Sequence, residues 1–545
     1  KYVALDLVIS SSAKPGIVKI ECAKNGQKNI INWELKKRRA GNGTAYAQGV
    51  TSKDFIYLLM PDRFSNGDPS NDRIAGLRDQ SLDRSHDSIF TRHGGDLQGV
   101  VNHLDYLQSL GVTALWMTPV LQNDMPNRTE HGYAFTNHYR IEPRFGGEEA
   151  YHKLSDALHA RGMKLVQDAV YNHIGLYHWI AQDGPAKDWL HQWPSFTQTN
   201  YKDQTMFDPY GAPSDRKKMA DGWFTREMPD LNQSNPYVAN FLIQHALWSV
   251  EEFGVDGWRI DTYIYNDLDF MNDCNKALMT EYPKMTMFGE TWVHGTLNQS
   301  YFAENKMDIS FRSNLPGVTD FQTNLYGINP ALTQDFGWTD GVSKLYTTLS
   351  NDIIYKDATR NVIFLDNHDM NRFFSQVNED LRKQKMGLQW LLTCRGIPQM
   401  YYGTEVIMKG YTNPDGWVRL DFPGGWEGDS KNAFNGAGMG NDELAIQSLV
   451  KKLGSYRKNS SALQTGKLMQ YLPDDGLYVY FRYDTNSTVM CVMNCSKTEK
   501  AVDFTKYAER TSGFTKATGV IDGKVLNTSE KPIIGSYEMW VLEMK

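Results

Sequence analysis

Apolar and polar positions divide the chain into three regimes. Between about residues 49 and 460, short apolar runs alternate with amphipathic stretches at helical spacing. The runs fall at 55–60, 114–119, 164–170, 257–261, 285–290, 308–311, 362–366 and 397–403, and predict eight strands. Helices are predicted between several of them, over 97–110, 148–161, 236–253 and 381–393. Strand–helix alternation implies a parallel sheet, and eight repeats imply an α/β fold of the closed (β/α)8 TIM-barrel kind.

The flanks follow a different rhythm. Residues 1–48 alternate like strands at Val3, Leu5, Leu7 and Ile9, then over 17–22 and 30–35, with turns at Pro15-Gly16 and Asn25-Gly26. So few strands predict a partial N-terminal β-sandwich domain. Residues 461–545 carry longer alternating runs and predict a C-terminal antiparallel β-sandwich. One stretch inside the barrel, about 174–227, is rich in Trp and Phe and has no helix–strand rhythm. It reads as a domain inserted after strand 3, where it walls the C-terminal face of the barrel.

Composition narrows the function classes. The chain has 545 residues, 41% hydrophobic and 22% charged, which excludes disorder. The net charge of −7 leaves no overall basic excess to hold a polyanion, so nucleic acid is not an expected partner. No run of 18 apolar residues exists, so no membrane span is expected. Five sparse cysteines predict neither a disulfide framework nor a zinc knuckle, and Cys491 and Cys495 share one face of one strand.

Acidic residues end several of the apolar runs: Asp168 the third, Asp261 the fourth, Glu290 the fifth, Asp366 and Asp369 the seventh. A single such acid reads as a cap or a structural ion pair. Several at one barrel rim read as catalytic, because a barrel's active site is built at the C-terminal ends of its strands. In Asp256-Gly-Trp-Arg-Ile-Asp261, Arg259 and Asp261 are two apart and share a face, so the guanidinium should hold Asp261 ionised, as a nucleophile requires. Glu290 stands between Phe288 and Trp292 with no Arg nearby in sequence, a setting expected to raise its pKa toward that of a proton donor. Two carboxyls in opposite environments, about 5–5.5 Å apart, are the pattern of a retaining glycosidase. Metal-assisted hydrolysis is the rival, but His173 and His368 lack the i, i+4 helical spacing of a zinc motif.

These residues resemble the α-amylase family of glycoside hydrolases, in its neopullulanase and cyclomaltodextrinase branch. The motifs run in the family's order: Asp168-Ala-Val-Tyr-Asn-His173, Met228-Pro-Asp-Leu-Asn232, Gly257-Trp-Arg-Ile-Asp261, Gly289-Glu-Thr-Trp292 and Phe364-Leu-Asp-Asn-His-Asp369. Flanking them are Gly111-Val-Thr-Ala-Leu-Trp-Met-Thr-Pro119 and Gly396-Ile-Pro-Gln-Met-Tyr-Tyr-Gly-Thr-Glu405. The resemblance implies Asp261 as nucleophile, Glu290 as acid/base and Asp369 as the third carboxylate. It further implies that Tyr133, Asp168, His173, Arg259, Trp292, His368 and Arg372 bind or position the substrate.

The same resemblance implies a structural calcium held by Asn66, Asp68, Asn71, Asp72, the Gly94 carbonyl and Asp96, although without it a polar Asn/Asp/Gly/Pro turn is the commoner reading. The expected function is hydrolysis of α-1,4-glucosidic bonds in cyclodextrins, maltodextrins and pullulan, with retention by double displacement. The alternatives are an α-glucanotransferase with the same residues and, less favoured, a non-catalytic glucan-binding relative. After the nucleophile the chain carries Thr262-Tyr-Ile-Tyr265, where many relatives carry Lys-His or Asn-Glu, so the acceptor side is expected to differ. A homodimer is retained as a partner, though only about 48 residues precede the barrel. The start at Lys1 reads as trimmed, and a diet of imported oligosaccharides leans toward a periplasm, with the cytoplasm as the alternative.

Overall fold

A computed structural model describes residues 2–545; the Lys1 start lies outside the described residues. Eight parallel strands form the central sheet: β1 (Ile56–Leu59), β2 (Ala114–Met117), β3 (Lys164–Ala169), β4 (Gly257–Ile260), β5 (Thr286–Gly289), β6 (Gly317–Val318), β7 (Val362–Phe364) and β8 (Ile397–Tyr401). Their spatial order is β6-β5-β4-β3-β2-β1-β8-β7, and a parallel bridge from Thr319 to Val362 closes β6 onto β7. The sheet is therefore the expected closed barrel. Its strands are buried almost throughout, because helices cover the outside and side chains fill the inside.

Sequence signals set the helix limits. The helix α1 (Pro236–Phe253) opens with Pro at its first turn and the Asn235 side chain accepting from the Tyr237 N–H. It stops at Gly254, whose φ of +68° suits a residue without Cβ. The helix α2 (Leu381–Thr393) is capped by Asp380 in the same way. The helix expected over 97–110 is instead two, Leu97–Asn102 and Leu104–Ser109. They break at His103, whose ring stacks on Phe434 with centroids 3.4 Å apart.

Two expectations fail. The sixth strand is not 308–311: Asp308 and Ser310 face solvent there, and the strand is the two-residue Gly317–Val318. A Cβ at Gly317 would come within 2.2 Å of the Arg360 carbonyl oxygen, so the close approach demands glycine, and a Gly–Val pair has no periodicity to read. At the N-terminus, residues 3–9 form no strand. Among the described residues before the barrel, the strands are those of the hairpin Gly16–Lys24 with Gln27–Leu35, turned at Asn25-Gly26.

The C-terminal region holds a six-stranded antiparallel sheet and a two-stranded ribbon, Lys500–Ala501 with Ile533–Ile534. Val479, Phe481, Val492 and Ile534 form a core between them, while Tyr478, Tyr480, Cys491 and Val541 pack on the opposite side into the barrel's core. All five cysteines are free. Among the described residues, no helix is long and apolar enough to cross a membrane.

Candidate active site

The last ladder bonds of the barrel place the acids. The Asp261 N–H donates to the Ala169 carbonyl at 2.8 Å, and the Glu290 N–H donates to the Ile260 carbonyl at 2.8 Å. Both carboxyls therefore emerge one residue past their strands, at the C-terminal rim. Register does the rest: Asp168 on β3 lies directly beside Arg259 on β4.

Arg259 is the hub. Its Nη1 donates to Asp168 Oδ1 at 2.7 Å and to Asp261 Oδ1 at 2.8 Å, while its Nη2 lies 2.9 Å from Glu290 Oε2. The expectation that Glu290 stands apart from any cation is therefore wrong. Sequence distance hid a contact that strand neighbours make across the rim. Burial pushes Asp168, Asp261 and Glu290 all above the ordinary carboxylate range, with Arg259 opposing in each case. Glu290 is raised as expected, but Asp261, expected lowered, is raised too, so the contrast gives way to a shared titration over one cluster.

Backbone geometry adds a further contact. Thr262 holds φ +42° and ψ +45°, a left-handed conformation rare for a β-branched residue and worth about 1–3 kcal/mol of strain. That turn aims the Thr262 N–H at Glu290 Oε2, 2.9 Å away, and its hydroxyl at Asp261 Oδ2, 3.1 Å away. Both contacts to Glu290 thus fall on Oε2, leaving Oε1 free to carry a proton.

Asp261, Glu290, Asp369, Tyr133, His173 and Trp292 line one cavity of about 990 Å³. Asp168, Arg259 and His368 lie just behind its wall. The Tyr133 hydroxyl donates to Asp168 at 2.9 Å and sits 2.7 Å from His368 Nε2, and the Tyr133 and His368 rings stack with centroids 5.3 Å apart. The Trp116 indole N–H donates to Asp168 at 3.0 Å. Burial holds His173 down at about 3 and His368 at about 4, so both are neutral near pH 7. Trp292 is 39% exposed and stacks on Phe321, presenting one ring face to the cavity side.

Asp369 behaves differently. Burial opposes its ionisation, and His368 and Arg419 together overcome it, so the carboxyl sits below its ordinary value. Arg419, with Arg259 a permanent cation beside the carboxyl, is the one bonded to it: its Nη2 donates to Asp369 Oδ1 at 2.7 Å. Arg419 also lines the cavity. Sequence reasoning missed it because it lies in a loop past β8, in no motif. Arg372 was expected in that substrate-facing set and is not there. It is fully buried, its guanidinium 4.0 Å from the Tyr401 ring centroid and bonded to the Tyr402 carbonyl, pointing into the packing behind the cavity.

The loop read as a calcium site is partly committed to its own fold. Asp96 caps the helix Leu97–Asn102 and accepts from the N–H groups of Gly67, Asp68 and Gly99. Asp68 turns to Ser70, accepting from its N–H and its hydroxyl. Among the described residues no three His, Cys, Asp or Glu side chains converge as a metal site. What fits an oxygen-seeking cation is the remainder. The Asn66 and Asn71 amide oxygens are buried without partners, and Asp72 Oδ1, which accepts from the Asn66 side-chain N–H at 2.9 Å, lies beside Gly94, where a Cβ would fall 2.6 Å from it.

A closed parallel barrel with buried carboxylates at the mouth of a sugar-sized cavity defines a glycosidase of the barrel class. The catalytic domain of α-amylases matches residues 56–465, and the cyclomaltodextrinase C-terminal domain matches 468–543. The chain belongs to the α-amylase family of glycoside hydrolases. A β/α-amylase of Paenibacillus polymyxa is 31% identical over 458 residues, spanning 82% of this chain but only 34% of that protein. A cyclomaltodextrinase of Thermoanaerobacter pseudethanolicus is 26% identical over 471 residues, 84% of this chain and 72% of that one. Among solved structures, an α-amylase of Anoxybacillus superposes with a TM-score of 0.74 at 27% identity, covering 90% of this chain and 98% of its own.

Proposed function

We propose that the chain is a retaining α-glucan hydrolase that cuts α-1,4-glucosidic bonds of cyclodextrins, maltodextrins and pullulan. The observation that carries this reading is that Asp261 and Glu290 face one cavity while sharing the Arg259 guanidinium. In the first step Glu290 gives its proton to the glycosidic oxygen as the bond to the anomeric carbon breaks. Asp261 then bonds to that carbon through an oxocarbenium-like transition state. In the second step the Glu290 carboxylate takes a proton from water, which displaces Asp261 and restores the α configuration. Burial raises both carboxyls and Arg259 opposes it in both. Within that shared titration, in this reading, the charge lies on Asp261, whose two oxygens accept from Arg259 and the Thr262 hydroxyl, and the proton on the unbonded Oε1 of Glu290, which the charge of Asp369 also favours. Asp369, held by Arg419, is placed to accept hydroxyls of the reacting glucose, with Tyr133 and His173 beside it.

The substrate range is supported by the names of relatives, which include cyclomaltodextrinase and neopullulanase. For the compartment, one relative from Bacillus subtilis is named an intracellular maltogenic amylase, which supports the cytoplasm over export. A structural calcium is part of the reading, held by Asn66, Asn71, Asp72 and the Gly94 carbonyl, with Asp96 behind them. It would tie the loop after β1 to the barrel and take no part in bond cleavage. The glucanotransferase alternative is favoured by one feature, an aromatic wall of Tyr201, Phe224 and Tyr265 along the cavity, which would hold an acceptor sugar and exclude water.

The test is product analysis of the purified, calcium-supplied chain. Release of α-configured maltose from β-cyclodextrin supports the hydrolase. Oligomers longer than the substrate appearing early from maltotriose would move the reading to a transferase. No reducing ends from cyclodextrin, maltodextrin or pullulan would leave a glucan-binding relative.

A further inference from the structure

We propose that Asp203 is a specificity-determining residue on the leaving-group side of the cavity, accepting hydrogen bonds from hydroxyls of the sugar that departs on cleavage. The proposal rests on the hydrolase reading above, because the leaving side is the side on which Glu290 delivers its proton.

Asp203 belongs to the inserted segment, at the start of the short turn Asp203–Met206, and it lines the same cavity as Asp261 and Glu290. It is 5% exposed, and its Oδ2 has no hydrogen-bond partner in the protein. A carboxylate oxygen buried without a donor is costly and calls for an explanation. Capping does not supply one: Lys202 holds the cap position of the turn, and no side chain caps it. An ion pair does not supply one either, since no lysine or arginine contact to Asp203 exists among the described residues. Its own backbone N–H, the Asn298 side chain and the charges of His294 and Lys202 act on the carboxyl, and burial outweighs them together, pushing it above its ordinary value.

The chain path gives the side. Thr262, whose N–H holds Glu290, leads directly into Tyr263–Tyr265, and Tyr265 lines the cavity against Tyr201, two residues before Asp203. Tyr265 packs edge-on against Phe224 and Tyr201, with centroids 5.6 and 5.9 Å away. This wall offers ring faces for stacking, and Asp203 is its buried carboxylate. Asp369 with Arg419 supplies polar recognition near the other carboxyls, so the cavity has one acidic anchor for the reacting sugar and a second for its leaving neighbour. Sugar hydroxyls are donors in search of such acceptors, and a charged acceptor binds them more strongly than a neutral one.

Two substrates separate this role from a structural one. Maltotriose leaves a sugar on the Asp203 side, whereas p-nitrophenyl α-maltoside cleaved to nitrophenol leaves a group with no such hydroxyls. In Asp203→Asn, the ratio of kcat/KM for maltotriose to that for the nitrophenyl substrate is expected to fall about 10- to 100-fold, the range for losing a hydrogen bond to a charged group. Asp203→Glu, which keeps the charge but moves it, is the second variant should the amide fail to fold, and is expected to lower the same ratio. An unchanged ratio in a folded variant, whether both activities fall together or neither falls, overturns the inference alone. A wild-type chain that cleaves neither substrate overturns the hydrolase reading and this inference with it.

Discussion

Arg259 and Glu290 lie 2.9 Å apart, although the same guanidinium also donates to Asp261 and Asp168. One buried cation thus balances three buried carboxyls. Removing one partner of such a cluster strands the others, at a cost of about 3–5 kcal/mol. Arg259→Gln is expected to lower the melting temperature clearly and to abolish turnover. Arg259→Lys keeps the charge but lacks the two-sided fork, so it should recover much of the stability and little of the activity. Calorimetry beside a kcat measurement checks both. Full activity in the lysine variant would show that the shared fork is unimportant.

Arg419 makes a prediction about pH. His368, Arg419 and Arg259 together hold Asp369 below its ordinary value, and Arg419 is the one of them bonded to it that carries a permanent charge. Arg419→Met should raise the Asp369 pKa toward that of Asp261, which sets the acid limb of kcat/KM in the wild type, so the limb should gain a second ionisation, steepen and move to higher pH. The ionised form is then lost sooner as pH falls. A pH–rate profile of the variant on maltotriose reads this directly, and an unmoved acid limb would detach Asp369 from the profile.

Acid should unfold the chain through its buried histidines. Burial holds His178 at about 3, His245 at about 4 and His138 well below its ordinary value, with the His138 and His178 rings 3.0 Å apart through their nitrogens. In the unfolded chain each titrates near 6.5. Between those values the unfolded state binds more protons. The stability these groups contribute is therefore complete above about pH 6.5 and is lost as pH falls, by about 1.4 kcal/mol per pH unit for each. Buried carboxyls such as Asp230, pushed up to about 7, pull the other way, so the test is differential: the loss of stability in urea melts from pH 7.5 to 5.0 should be smaller in His178→Asn than in the wild type by about 2 kcal/mol. An identical pH dependence in the two proteins would contradict it.

A chelator should act on stability before chemistry. A cation bound only by the folded loop stabilises it by mass action. EDTA is therefore expected to lower the melting temperature while leaving the initial rate at 25 °C within about twofold of its starting value. A melting curve indifferent to EDTA and to added calcium would remove the loop from consideration.

The sequence made the barrel legible because buried parallel strands read as apolar runs, and acids at their ends stand out against that background. Strand β6 was illegible for the opposite reason: Gly317–Val318 is too short for a pattern, and its identity depends on the Arg360 carbonyl pressing against it. Spacing gave the Arg259–Asp261 pair, but the contact from Arg259 to Glu290 crosses between strands and has no signature along the chain. Arg419 and Asp203 reach the cavity from loops whose path follows from packing. Asp366 shows the converse, an acid at a strand end that accepts from the Phe373 N–H and the Thr404 hydroxyl and is simply structural.

Double displacement leaves one carboxylate covalently bonded to the sugar between its two steps. A slow fluorinated α-glucosyl fluoride, incubated with the folded chain and followed by proteolysis and mass spectrometry, should leave one glycosyl adduct, located on Asp261. An adduct on Glu290 or Asp369 would contradict the assignment. Turnover with inversion of configuration and no adduct at all would contradict double displacement itself.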